Sequence, residues 1–140
     1  MSDLEKKILD IIHKPQLSAL ATITENNTPW VRYVVTVGGG NMELRCATML
    51  NSRKVEQIEN NPFVHLTCGV NSLQEMSPYL QVEGKARIIT DEEEKESFWN
   101  DMLEPIFKGP ADPNYAIIAI SPLKIEYCTP GSYQPEVWER

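Results

Sequence analysis

Seven short runs rich in β-branched and aromatic residues, set apart by turn signals, constrain this chain more than any other feature. They are Leu17–Thr24, Trp30–Val37, Met42–Thr48, Phe63–Gly69, Tyr79–Ile89, Tyr115–Ile120 and Leu123–Thr129. Their lengths and their Val, Ile, Thr, Tyr and Trp content are those of strands. They do not alternate strictly with helical segments, so a doubly wound parallel sheet is not expected. A mainly β fold is, with six or seven mostly antiparallel strands rolled into a barrel and about three peripheral helices. No internal repeat or low-complexity segment divides the chain, and residues 1–140 read as one domain.

The punctuation between the runs is specific. Glu25-Asn26-Asn27-Thr28-Pro29 is a turn, and Gly38-Gly39-Gly40-Asn41 is expected to supply the positive φ angles of a hairpin. Gly84 is a candidate bulge, Ser121-Pro122 is expected to separate the last two strands, and Pro130–Arg140 reads as an irregular tail. Ser2-x-x-Glu5 forms a capping box before Leu4, Ile8, Ile11 and Ile12 at helical spacing, and Pro15 ends that helix. Asn51 or Ser52 caps a short helix over Arg53–Glu59 that turns Val55 and Ile58 inward. Thr90 or Asp91 opens a third helix with Phe98, Trp99, Met102, Leu103 and Ile106 as its apolar stripe.

Charge limits what such a barrel can bind. The net charge of −7, with 13 basic against 20 acidic residues, argues against nucleic acid, whose binders need a basic face. It argues equally against an anionic membrane surface. No secretory signal is visible at Met1-Ser2-Asp3-Leu4-Glu5, and no apolar run approaches the ~18 residues of a membrane span. Cys46, Cys68 and Cys128 form neither a C-x-x-C pair nor a zinc spacing and read as buried, inert thiols. A reducing cytoplasmic setting is the corresponding expectation.

On an acidic chain the placement of each cation is informative. In Thr48-Met49-Leu50-Asn51-Ser52-Arg53-Lys54 two cations and a hydroxyl stand where the N–H groups of a new helix point outward, as in a phosphate site. Arg53 and Lys54 on a merely solvated helix surface is the competing reading. Arg32 lies within an apolar strand, where period-2 alternation gives Trp30, Arg32 and Val34 one face and Val31, Tyr33 and Val35 the other. Such an Arg lies either at a sheet end in water or opposite an anion. Neither a Gly-x-x-x-x-Gly-Lys loop nor a Gly-x-Gly-x-x-Gly turn exists, and His13 and His65 are isolated.

The run from Thr48 to Lys54, followed by Ile58-Glu59-Asn60-Asn61-Pro62, resembles the Thr-x-x-x-Ser-Arg-Lys … Asn-Pro signature of pyridoxamine 5′-phosphate oxidase-like proteins. Arg32 stands at that family's strand Arg, and Val82-Glu83-Gly84-Lys85-Ala86 is similar to one of its strands. Phe98-Trp99, Phe107, Gly109 and Asp112-Pro113 resemble the helix and loop of its bacterial general stress protein subgroup. The resemblance spans Leu17 to Tyr127. It implies a Greek-key split β-barrel and a homodimer that binds FMN between its subunits.

The roles carried over are these. Arg32, Arg53 and Lys54 hold the phosphate, and Ser52 and Thr48 bond phosphate or ribityl oxygens. Backbone groups around Val34 and Ala47, with Tyr33 beside them, line the isoalloxazine edge. Tyr79 and Gln81 contact the flavin, and Trp99 and Trp138 reach the flavin of the partner. The family's oxidases carry a C-terminal Arg-x-His element, whereas this sequence ends Trp138-Glu139-Arg140. Cys128 follows Glu126-Tyr127 where the subgroup has Trp. Oxidation of pyridoxamine phosphate is therefore not expected. The expectation is an FMN oxidoreductase that takes electrons from a reduced nicotinamide. A flavin-binding stress or sensor protein without turnover, or the same barrel holding heme or a deazaflavin, are the alternatives.

Overall fold

The computed structural model describes residues 1–140. Three helices, α1 (Asp3–Ile12), α2 (Arg53–Asn60) and α3 (Glu92–Phe98), accompany seven strands. The strands are β1 (Gln16–Ile23), β2 (Pro29–Gly38), β3 (Leu44–Met49), β4 (Phe63–Cys68), β5 (Tyr79–Ile89), β6 (Tyr115–Cys128) and β7 (Glu136–Glu139). All pairings are antiparallel, in the order β3-β2-β1-β4-β5-β6-β7, and β3 also pairs with β6. That last ladder closes six strands into a barrel and leaves β7 outside as an extra edge strand. No helix is long and apolar enough to cross a membrane.

Alternation along the strands fills the interior. Leu20, Leu44, Cys46, Leu66, Leu80, Val82, Ile118, Ile120 and Ile125 point inward and are essentially inaccessible. Each large aliphatic side chain so buried contributes about 1.5–3 kcal/mol before entropy is counted. Ile8 and Ile12 of α1 and Ile58 of α2 join this cluster. A second cluster sits on the outer face of the β3–β6 ladder, where Leu103, Phe107 and Tyr115 pack with Ile89, Ile117 and Ala119. The first half of β6, Tyr115–Ile120, is therefore buried on both faces.

Several local expectations change. The glycines of the Gly38–Gly40 run do not take positive φ; Met42 does, at 68°, with its side chain buried. Gly38 is required for space instead, since a Cβ there would lie 2.6 Å from Ile12 Cδ1. Ser121-Pro122 does not break the sheet, because β6 is continuous and shifts register opposite Glu83/Gly84. The bulge thus falls where Gly84 indicated, and Pro122 is tolerated at it. The tail contributes β7 rather than staying irregular. Helix α3 stops at Phe98, and a 3-10 turn at Asp101–Leu103 follows, because the Asn100 side chain accepts the Met102 N–H and starts a new cap. Cys46 and Cys68 are buried, whereas Cys128 is only half-buried.

Candidate functional site

Strands β2 and β3 are bonded only at Val37↔Arg45 and Gly38↔Leu44. Beyond those pairs the two strands part, while each keeps its ladder on the far side, to β1 and to β6. The barrel is split along this seam, and no ladder bonds join Val35 of β2 to Ala47 of β3. A cleft of about 720 Å³ follows the seam, within the usual ~300–1,000 Å³ of small-molecule sites. Val35, Thr36, Val37, Ala47 and Thr48 form its floor, and Phe98, Met102, Leu103, Ile106 and Phe107 its apolar wall. Ser52 and Lys54 line it as well.

The cations and hydroxyls expected to hold an anion lie where β3 hands over to α2. Ser52 is the N-cap residue, but its hydroxyl makes no capping bond and lies 3.2 Å from Thr48 Oγ1. The first-turn N–H groups of α2 are therefore left without a side-chain cap. Arg32 turns inward from β2, and its Nη1 donates to Thr22 Oγ1 at 2.7 Å, Trp30 O at 3.0 Å and Leu20 O at 3.3 Å. Its Nη2 donates to Gln57 Oε1 at 3.0 Å, which ties β2 to α2. Neutral groups orient this guanidinium and none cancels its charge. The ion pairs of the chain use Lys7, Arg45, Arg87 and Lys124, and never Arg32, Arg53 or Lys54.

Electrostatics record the crowding. Burial, then the Arg53 charge, lowers the Arg32 pKa. Burial lowers that of Lys54, with Arg32 adding to the effect and Cys46 opposing it. Cys46 cannot act as a counterion, because burial pushes its thiol up to about 12. Three cations with no carboxylate partner, beside an uncapped helix start, favour an anion. The apolar cleft adjoining them suits a flat ring system. A phosphate-bearing aromatic ligand fits both halves.

Of the residues expected from the sequence, Ala47, Thr48, Ser52 and Lys54 line the cleft together. Arg53 faces a second, polar hollow of about 350 Å³ with Trp30, Glu56 and Gln57. Val34 packs against the core, and its neighbour Val35 lines the cleft. Tyr33 points outward and is 73% exposed. Across the sheet it shares a row with Ala19, Thr67 and Gln81, and Tyr79 lies two residues before Gln81 on the same outward face. Trp99 packs edge-on to Tyr115, with ring centroids 5.5 Å apart, and Trp138 lies on β7 opposite Ile125. Within one chain Tyr79, Gln81, Trp99 and Trp138 are not walls of the cleft.

Sequence reasoning missed Thr22 and Gln57, which hold Arg32. Gln57 stands four residues after Arg53 and three after Lys54, a spacing that puts it on their helix face. It also missed that Met102 and Ile106 line the cleft, since their helical spacing read as a core stripe.

The geometry agrees with comparisons to known proteins. The family model described as pyridoxamine 5′-phosphate oxidase matches residues 4–129. General stress protein 26 of Bacillus subtilis (strain 168) is 33% identical over 133 residues, covering 95% of this chain and 94% of that protein. The crystal structure of General Stress Protein 26 from Bacillus anthracis str. Sterne is 34% identical with a TM-score of 0.84, covering 99% of this chain and 100% of that one. A pyridoxamine 5′-phosphate oxidase-related, FMN binding protein from Nostoc punctiforme PCC 73102 shares the fold at 17% identity and a TM-score of 0.66, over 86% of this chain and 78% of that one.

Proposed function

The chain belongs to the pyridoxamine 5′-phosphate oxidase family, and from that premise we propose that it binds FMN and passes electrons from a reduced nicotinamide to a small-molecule acceptor. One observation carries the reading: Arg32, Arg53 and Lys54 have no carboxylate partner and surround the start of α2, Lys54 on the apolar cleft and Arg53 on the polar hollow beside it. These cations and the first-turn N–H groups take the phosphate. Ser52 and Thr48, already within bonding distance of each other, take phosphate or ribityl oxygens. Main-chain groups freed where β2 and β3 part meet the polar edge of the ring, and the wall from Phe98 to Phe107 covers an apolar face and excludes water. Bound FMN supplies the hydride and electron transfer; the chain supplies orientation and a fixed electrostatic setting.

A second copy of the chain completes the proposal. Leu17, Val31, Tyr33, Val35 and Phe63 form an exposed apolar sheet face, of the kind that marks an interface. Pairing there would cover Tyr33 and carry Tyr79, Gln81, Trp99 or Trp138 of each copy toward the flavin of the other.

The absorption spectrum of the purified full chain is the test. The expected protein is yellow, and changing Arg53 and Lys54 together to Ala removes the flavin absorbance. A colourless chain that ignores added FMN refutes the reading. Flavin binding without NADH or NADPH consumption removes the oxidoreductase half and leaves a flavin-binding protein without turnover.

A further inference from the structure

Lys95 is 6% exposed, has no carboxylate partner and sits outside the cleft. Its Nζ donates to the Asp112 carbonyl at 3.0 Å and lies 5.3 Å from the centre of the Tyr115 ring. The Tyr115 hydroxyl donates back to the Lys95 carbonyl at 2.8 Å. An ammonium is costly to bury against one carbonyl and a ring face, and an unbranched apolar side chain would fill the same space. A lysine here needs a reason in what its ammonium holds.

The bonds beyond Asp112 supply one. The Asp112 carboxylate accepts the Lys108 and Asn114 N–H groups at 3.0 and 2.9 Å, which shapes the loop between them. Asn114 in turn accepts the Leu50 N–H through its carbonyl at 2.8 Å and the Asn51 N–H through Oδ1 at 3.3 Å. Leu50 and Asn51 are the two residues before Ser52, so this chain of bonds ends at the start of α2. Its other end, on α3, is three residues from Phe98 in the cleft wall.

We propose that Lys95 is a positioning residue that fixes the spacing between the phosphate end and the apolar wall of the cleft, acting through the loop Lys108–Asn114. The inference rests on the flavin reading above. A ligand gripped at both ends feels the spacing, whereas one gripped only at its ring does not. FMN and riboflavin are such a pair, differing in the phosphate.

The experiment measures dissociation constants of both ligands for wild type, Lys95→Met and Asn114→Ala, with thermal melting alongside. FMN binding is expected to weaken roughly tenfold in Lys95→Met and several-fold in Asn114→Ala, while riboflavin binding stays within about twofold. The double variant should lose less than the product of the two, because both act on one path. General loosening of the fold would instead weaken both ligands together. Should Lys95→Met not fold, Lys95→Gln, which also lacks the ammonium, takes its place beside Asn114→Ala, a substitution at a half-buried loop position. An unchanged FMN-to-riboflavin ratio in the folded variants overturns this inference and leaves the flavin reading intact. A wild type that binds neither ligand overturns both.

Discussion

Lys54 is held charged in a place that disfavours the charge. Burial lowers its pKa from the ordinary 10.5, and Arg32 adds to the effect. Between that lowered value and 10.5 the unfolded chain binds more protons than the folded one, so the stability of ligand-free protein rises with pH across the window. Below the window the cost is present in full. Affinity for a phosphate-bearing ligand runs the other way and falls as pH rises through the window and the ammonium is lost. Lys54→Met should remove that pH-dependent rise and leave the ligand-free chain at least as stable at pH 7, as urea midpoints will show. It should also weaken FMN binding roughly 10- to 100-fold, the range of a charge-assisted hydrogen bond. Arg32 stands out in the sequence as a cation within an apolar strand, on one face with Trp30 and Val34, but whether it faces water or an anion stays open there. Its partners do not stand out: Thr22 lies ten residues back on another strand and Gln57 25 residues on, and only folding brings them together.

At the scale of elements, two glycines that look alike in sequence serve different contacts. A Cβ on Gly38 would meet Ile12 Cδ1, Cγ1 and Cβ at 2.6, 2.8 and 3.0 Å, and Ile12 is fully buried, so side-chain rotation does not clear the space. A Cβ on Gly84 would meet the Ser121 carbonyl oxygen at 2.8 Å and Ile120 Cγ2 at 3.0 Å, so here the obstacle is backbone at the bulge. Gly84→Ala and Gly38→Ala should each destabilise by about 1–3 kcal/mol, as denaturant unfolding will measure. Strands were read well because their alternation is local. The stretch after Phe98 was not: Trp99, Met102, Leu103 and Ile106 keep helical spacing, yet Trp99 is extended at ψ 138° and Asn100 recaps the chain. Apolar spacing reports which residues seek cover, and here two of them, Met102 and Ile106, stay 59% and 53% exposed along a cleft.

For the whole molecule, the closing ladder between β3 and β6 joins segments some 70 residues apart and has no local signature. That a barrel forms could be argued from strand number; where it opens could not, since the parting of β2 from β3 is set by what packs around them. The outward apolar face carries the remaining prediction. On the proposed dimer, Val31→Asp, at a side chain 63% exposed, should give monomers by light scattering and lose flavin with them, while a merely exposed valine would tolerate the change. The open seam has a consequence of its own for how such a barrel diverges. Contacts made there by peptide groups belong to no particular side chain, so Val35 and Ala47 can be exchanged for residues of similar size without erasing them. On the proposed flavin site, drift is then free to rewrite the wall from Phe98 to Phe107, and with it the molecules admitted, while main-chain contacts to the ring edge are kept.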